Sequence, residues 1–382
     1  IPETVVDPSG ATLFTARDIQ EGQDLFRKRG LMNYGSVLGH GAYLGPDFTA
    51  QSLHWMKEAM RERKAGGAYD SLSTAQRAAV DAAIAEELKT NRYREGVLQF
   101  TADQAAGWHS VVRRYQKLFS EGEGEHAMPA TALLPEREGG GDSAMRAEAA
   151  RKLAAFVTWT AWLSVAKRPE ANHSYTNNWP YDQAAGNTAT AGSMMWSAVS
   201  VATLLMFLAL ILYVHNRYRL GMEDVENPNL KFNVAALPLT PSQRAAAKYF
   251  VVALLLFLMQ SMLGGKMAHD YVEGASFYGI PIAQNLPFNL ARTWHLQLAI
   301  FWIATAWLGM GIFIAPLVTG REPKHQRTLV NVLFGALVAV VVGSMAGEYL
   351  AYRGMLGESW WWLGTQGWEY LELGRLWMLL LI

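Results

Sequence analysis

The sequence predicts an all-α chain in two parts: a polytopic bundle of membrane helices and, ahead of it, a small helical domain in water. Three observations carry this. Half of the chain is apolar (51% of 382 residues), yet 33 basic and 33 acidic side chains are present and cancel. Those charges are unevenly placed: residues 1–190 hold 44 of the 66, and residues 191–382 only 22. Four long apolar runs, each near the ~20 residues that a hydrocarbon core of about 30 Å demands, all fall in the second part. The length also suits two domains, divided at about 190.

The runs are residues 196–214, 249–268, 294–318 and 329–347. The first and last are uncharged, the second is interrupted only by Lys266, and the third carries His295. Lys266 lies near the end of its run, where its stem can snorkel to the interface. A fifth run opens at Leu376 and reaches Ile382, while the chain starts Ile1-Pro2 without a start methionine. We read the sequence as a segment of a longer protein, with further helices expected past Ile382.

Basic residues in the short loops set the orientation. Arg217, Arg219, Lys231, Arg244 and Lys248 follow the first run, and Arg321, Lys324 and Arg327 the third, so those loops are cytoplasmic. Between the second and third runs only Arg292 is basic. The loop from 352 to 374 has Arg353 against Glu358, Glu369 and Glu372, with Trp360, Trp361, Trp362 and Trp368 as an outer interfacial belt. Residues 1–190 then lie outside, in a periplasm or its equivalent.

In that outer part helix signals dominate and strand alternation is scarce. Thr15 can cap a helix that runs to Arg29 and stops at Gly30, and Thr49 can cap another through Arg63. Ser73, Ala102 and Ser143 stand near three further starts. Glycine- or proline-rich loops separate them, and no repeat of 20–50 residues is visible. Residues 174–192 are polar and aromatic, as a tether along the membrane surface would be.

Composition excludes several chemistries. A net charge of zero offers no basic surface, so no nucleic acid partner is expected. With no cysteine there are no disulfides, thiolate metal sites, iron–sulfur clusters or covalently attached haem.

Four constellations can carry function. Arg292-Thr-Trp-His295 opens the third run. Histidine in hydrocarbon needs a partner, and neutral imidazole between helices is a common haem ligand, with an arginine one turn earlier placed for propionates. An interhelical hydrogen bond from His295 with Arg292 as an interface anchor explains the same residues, and residue types do not separate the two. Glu369 and Glu372, one turn apart, can face one site or simply complement a helix start. His269 and Glu273 form an i,i+4 acid–imidazole pair suited to exchanging protons with a quinol head group, or to ordinary helix-end electrostatics. The run Val37 to Tyr43 contains Gly39, His40 and Gly41, and its carbonyls can face a hard cation or merely make a turn. The other histidines show no metal spacing.

Taken together, Gly-Ser-Val-Leu-Gly-His-Gly-Ala-Tyr (35–43), Tyr-Thr-Asn-Asn-Trp-Pro-Tyr (175–181), the Arg292–His295 motif and Leu-Gly-Thr-Gln-Gly-Trp-Glu-Tyr-Leu-Glu-Leu-Gly-Arg (363–375) resemble the quinol-dependent, single-chain nitric oxide reductases of the haem–copper oxidase superfamily. In cytochrome c-dependent relatives a separate subunit binds haem through Cys-x-x-Cys-His just before a similar Gly-Ala-Tyr segment. Here Leu31, Tyr34 and Gly35 occupy those positions. The outer domain therefore resembles a cytochrome c that cannot hold haem, and the resemblance implies membrane quinol as electron donor.

The resemblance further implies His295 as an axial ligand of low-spin haem b, Arg292 on its propionates, and His269 and Glu273 in the quinol pocket. It implies a calcium ion bridging the domains through Gly41, Tyr43 and Glu369, and Glu372 near the outer site of proton uptake. The family reaction reduces two NO to N2O and water at a high-spin haem b beside a non-haem iron. The ligands of that iron would lie beyond Ile382, on further helices of the same protein. The expected setting is the bacterial inner membrane and denitrification, with a homodimer left open. A different haem–copper oxidase, or a non-enzymatic sensor or transporter with an outer domain, are the competing readings.

Overall fold

The computed structural model describes residues 1–42, 45–122, 128, 130–182, 185–218, 238–272, 282–364 and 373–381. The outer domain opens with a hairpin, β1 (Thr4–Val6) and β2 (Thr12–Thr15), and then α1 (Ala16–Lys28). A 3-10 turn at Leu31–Asn33 leads to the short pair β3 (Ser36–Val37) and β4 (His40–Gly41). Next come α2 (Phe48–Lys64), α3 (Thr74–Lys89), β5 (Tyr93–Arg94), β6 (Val97–Gln99), α4 (Ala102–Glu121) and α5 (Ser143–Val165).

The domain is mostly helical, as expected, and adds a small sheet in the order β2-β1-β6-β5. Its strands have two to four residues, too few for alternation to stand out in sequence. Val5, Phe14 and Leu98 turn one face of this sheet into the core, beside Trp108 and Phe100.

Thr15 caps α1 in a reciprocal box with Asp18, and Ser73 caps α3 in the same way. The second helix departs from expectation. Asp47, not Thr49, caps α2 by accepting from the Ala50 N–H. Thr49 lies inside the first turn, fully buried, where its hydroxyl accepts from the Leu38 N–H and meets that of Thr160. Residues 174–192 are not a tether. Asn187 is buried and donates to the carbonyls of Ser164 and Pro180, and Asp182 pairs with Lys57 on α2.

The second part contains α6 (Ala191–Tyr218), α7 (Pro241–Val272), α8 (Ile282–Asn285), α9 (Phe288–Thr319), α10 (Gln326–Tyr352), α11 (Trp360–Leu363) and α12 (Arg375–Leu381). Four of these, α6, α7, α9 and α10, are long and apolar enough to cross a membrane. No residue of α6 is buried within the chain. By contrast α7 and α9 pack closely, through small residues that let backbones approach. A Cβ on Gly264 would come within 2.9 Å of the His295 ring, and one on Gly309 within 3.0 Å of Tyr249.

The end of α7, the start of α9 and the end of α10 gather under the outer domain. Phe288, the first residue of α9, lies within that domain's core, its ring 5.9 Å from that of Tyr34, and Met267 of α7 packs at its rim. Two expectations about interfacial side chains change here. Lys266 does not snorkel outward but pairs with Asp270 one turn on, where both are largely buried. Trp361 lies between the guanidinium groups of Arg27 (5.7 Å) and Arg375 (4.9 Å), and Trp360 is buried, so this part of the belt faces protein. Trp362 is exposed; Trp368 lies outside the described residues.

Candidate functional site

His295 sits in the second turn of α9, against α7. Its Nδ1 lies 2.9 Å from the carbonyl oxygen of Gln260. A carbonyl can only accept, so Nδ1 carries the proton and Nε2 presents a lone pair, the arrangement that orients a metal-binding imidazole. Gly264 makes this possible, because its missing side chain leaves room for the ring one helical turn beyond Gln260. The Trp302 indole N–H in turn fixes the Gln260 side chain at 2.8 Å. An imidazole with one nitrogen spent on a backbone carbonyl and the other presenting its lone pair fits a haem axial ligand.

Arg292, one turn earlier, reaches across the domain seam: its Nη1 donates to Asn33 Oδ1 at 2.6 Å. Asn33 belongs to the 3-10 turn Leu31–Asn33. It is fully buried and donates to Thr293 Oγ1 (3.0 Å) and to the Gly30 carbonyl (3.2 Å). Gly30, at φ +57°, supplies the left-handed residue that starts this turn. Tyr34 donates to Asn289 Oδ1 at 3.3 Å, and Asn289 donates to the Arg29 carbonyl at 2.8 Å. Burial pushes the Tyr34 phenol well above its ordinary pKa, so it remains a donor.

The residues expected at the haem-attachment positions, Leu31, Tyr34 and Gly35, are all taken up by packing. Leu31 is fully buried in the core, Tyr34 docks on α9, and a Cβ at Gly35 would strike the Pro46 carbonyl at 2.2 Å. Arg29, 2% exposed, completes the seam. It pairs with Glu138 and donates to the Ala351 carbonyl of α10 at 3.1 Å. Burial lowers its pKa, and the nearby Glu138 carboxylate works in the other direction.

Two further residues escaped the sequence reading. Gln297 of α9 donates to the carboxylate of Glu348 on α10, and both side chains are buried. Glu348 comes one residue after the uncharged run that ends at 347, which is why the run looked clean. A small cavity of about 20 Å³ adjoins it, lined by Arg29, Asn33, Asn289, Thr293, Glu348 and Tyr352 among others. That is about the size of one water.

Most of the other expected site residues lie outside the described residues. His269 lies half-buried in the last turn of α7, while Glu273 is outside the described residues. Gly41 ends β4 at φ +139°, pressed on the Gly35 carbonyl, but Tyr43, Glu369 and Glu372 also lie outside the described residues. Among the described residues no three His, Asp or Glu side chains group as a metal site.

Comparison with known proteins finds two families along the chain. Residues 2–181 match the family model of the cytochrome c-like domain of NorB, a nitric oxide reductase subunit. Residues 244–382 match that of cytochrome c and quinol oxidase polypeptide I. The NorB subunit of the Stutzerimonas stutzeri nitric oxide reductase is 34% identical over 149 residues, which is 38% of this chain. The matched stretch spans 28% of that relative's length. With its four apolar helices, the chain is a multi-pass bacterial membrane protein. The chain is thus similar along its first half to the cytochrome c-like domain of a nitric oxide reductase subunit and along its second to the helix bundle of the haem–copper oxidases.

Proposed function

We propose that this chain is the part of a respiratory nitric oxide reductase that takes up electrons from membrane quinol, the complete protein reducing two NO with two electrons and two protons to N2O and water. Similarity to these two families implies haem and iron as cofactors. The observation that supports the reading is the imidazole of His295, whose Nδ1 lies 2.9 Å from the Gln260 carbonyl, which leaves the Nε2 lone pair for a ligand. Haem b bound there supplies an iron that passes one electron at a time. Arg292, at the outer end of the same helix, offers a cation to its propionates, with Asn33 holding the guanidinium from the opposite side.

His269, at the outer end of α7, is the acceptor for a proton that quinol releases, with Glu273 four residues on. Gly41 supplies a carbonyl, and Tyr43 and Glu369 oxygen ligands, to a calcium ion that ties the domains, and Glu372 stands near proton uptake. High-spin haem b and non-haem iron belong to the complete protein. Residues 1–190 face the periplasm across the bacterial inner membrane, because the basic loops at 217–248 and 321–327 lie on the opposite side. The absence of cysteine excludes a covalently held haem c in the outer domain, which supports a donor within the membrane.

The test is His295→Ala in the full-length protein. It is expected to abolish the low-spin haem b spectrum while the protein still inserts. An unchanged low-spin signal refutes the assignment. Turnover with quinol that falls in His269→Ala while an artificial donor is unaffected supports the quinol site, and equal losses with both donors refute it. One calcium per chain, lost on Glu369→Ala, supports the bridging ion, and its absence from dialysed active protein excludes it.

A further inference from the structure

At the end of the bundle away from His295, the starts of α7 and α10 lie side by side. The Tyr249 hydroxyl donates to the Val330 carbonyl at 2.7 Å, and its ring meets that of Phe334 at 5.2 Å. Lys248 reaches across the same seam. It donates to Asn331 Oδ1, and its ammonium lies 4.5 Å from the centre of the Phe334 ring. Arg244 and Arg327 stand one turn before Lys248 and Asn331 on the same two helix faces, and both are exposed. Three cations from two helices thus share one groove. Over residues 238–260 and 310–340 the one acid is Glu322, which accepts from the Ser242 N–H at 3.0 Å. Among the described residues none of the three cations is in an ion pair. Neither helix carries an acid in its first turn, so the two helix starts add to the positive field.

Past the cations the groove turns apolar. On the same two faces Val251 and Leu255 of α7, and Val338 and Val342 of α10, are exposed. A Cβ on Gly335 between them would meet nothing within 4 Å, so the groove is open there. Both helices are long and apolar enough to cross a membrane, which puts the cations near its boundary and the apolar stretch within it. A cationic mouth that continues into an apolar channel matches an amphiphile with an anionic head. A soluble anion would leave the apolar stretch unused, and a zwitterionic lipid brings a cation of its own into the mouth. We propose that the groove between α7 and α10 binds one anionic glycerophospholipid, its phosphate among Arg244, Lys248 and Arg327 and an acyl chain along Val251, Leu255 and Val338. Each basic residue at a membrane surface strengthens the attraction of anionic lipid about fivefold. Asn331 and the Phe334 ring hold the Lys248 ammonium in place without neutralising it, so little ordering is left for the lipid to impose.

The experiment is native mass spectrometry of the full-length protein, delipidated in detergent and titrated with phosphatidylglycerol or with phosphatidylcholine. The parent protein is expected to take up one phosphatidylglycerol ahead of any further lipid, and to bind phosphatidylcholine more weakly. Arg244→Gln combined with Arg327→Gln is expected to weaken phosphatidylglycerol binding about 25-fold, and Lys248→Met about fivefold. Arg217→Gln removes an exposed cation from the end of α6, a helix with no residue buried in the chain, and is expected to leave the titration unchanged. Inorganic phosphate is expected not to displace the bound lipid. Equal binding of the two lipids overturns the proposal, as does a loss in Arg217→Gln that matches Lys248→Met, since either means general surface attraction. Displacement by inorganic phosphate overturns it by reducing the groove to an anion site. A parent protein that retains no phosphatidylglycerol overturns it as well, the groove then being covered by protein.

Discussion

Replacing Arg29 with methionine removes a guanidinium that joins α1, the Glu138 loop and the end of α10 while being only 2% exposed. Methionine keeps much of the stem's bulk, so the loss is mainly electrostatic. Two charge-assisted hydrogen bonds disappear, worth about 1.5–3 kcal/mol each. Against this stands relief from burying the cation, and the depressed Arg29 pKa shows that the site penalises its charge. The acceptors are not abandoned either. Glu138 keeps Lys28 at 3.2 Å and is partly exposed, and the Ala351 carbonyl keeps the Gly354 N–H at 3.0 Å. The balance is about 2 kcal/mol lost from docking, which at RT of about 0.59 kcal/mol is about a 30-fold rise in the opening equilibrium. Hydrogen exchange of the full-length protein reads this directly: amides around 27–34 and 350–354 are expected to exchange about 30-fold faster, with the interior of α4 unchanged. Lys28→Met removes the more exposed partner of the same carboxylate and is expected to change exchange less than about fivefold, as a surface pair would. Protection at the seam that is equal in Arg29→Met and the parent protein refutes the reasoning, as does an equal effect from Lys28→Met.

Gly264→Val is expected to push the His295 ring off the Gln260 carbonyl, since even a Cβ would lie 2.9 Å from Cε1, at an overpacking cost of about 1–3 kcal/mol. A low-spin haem spectrum of parental intensity and position in that variant rules out the close-packing argument. The acid limb of stability depends on Asp18. Burial pushes its carboxyl up, but hydrogen bonds from Arg151 and Thr15 more than offset this and leave it below the ordinary carboxylate value. A carboxyl depressed in the folded state stabilises above its ordinary pKa, and that contribution is lost as pH falls through the folded one. Asp18→Asn is therefore expected to flatten the pH dependence of unfolding below about pH 4; an unchanged acid limb contradicts the assignment.

The membrane half was legible because its physics is one-dimensional. A span must be about 20 apolar residues long wherever it packs, so the four runs and their order could be read directly. The outer domain was legible only where the signal is local, as in the cap at Thr15. Its sheet was not, because strands of two to four residues pair through contacts as distant as Val5 with Leu98. At the site, His295 and Arg292 stood out by being polar at the head of an apolar helix. Asn33 and Arg29 gave no such signal: in sequence each is an ordinary polar residue near a helix end. Their importance arises from partners some 260 and 320 residues away, namely Thr293 and Ala351.

That the seam is polar follows from how its parts are joined. Phe288 and Met267 supply apolar contact to the outer domain's core, and such contact alone would let the domain slide or rotate on the helix ends. Directional bonds from Asn33, Tyr34, Arg29 and Asn289 select one register, each matching a donor to an acceptor across the seam. Buried polar pairs contribute little net stability but can fix a unique geometry. In a haem-bearing cytochrome c the turn at residues 31–35 would be organised by the porphyrin it holds. Here the same turn is organised by the membrane helix beneath it, through side chains small enough to bury and polar enough to pair.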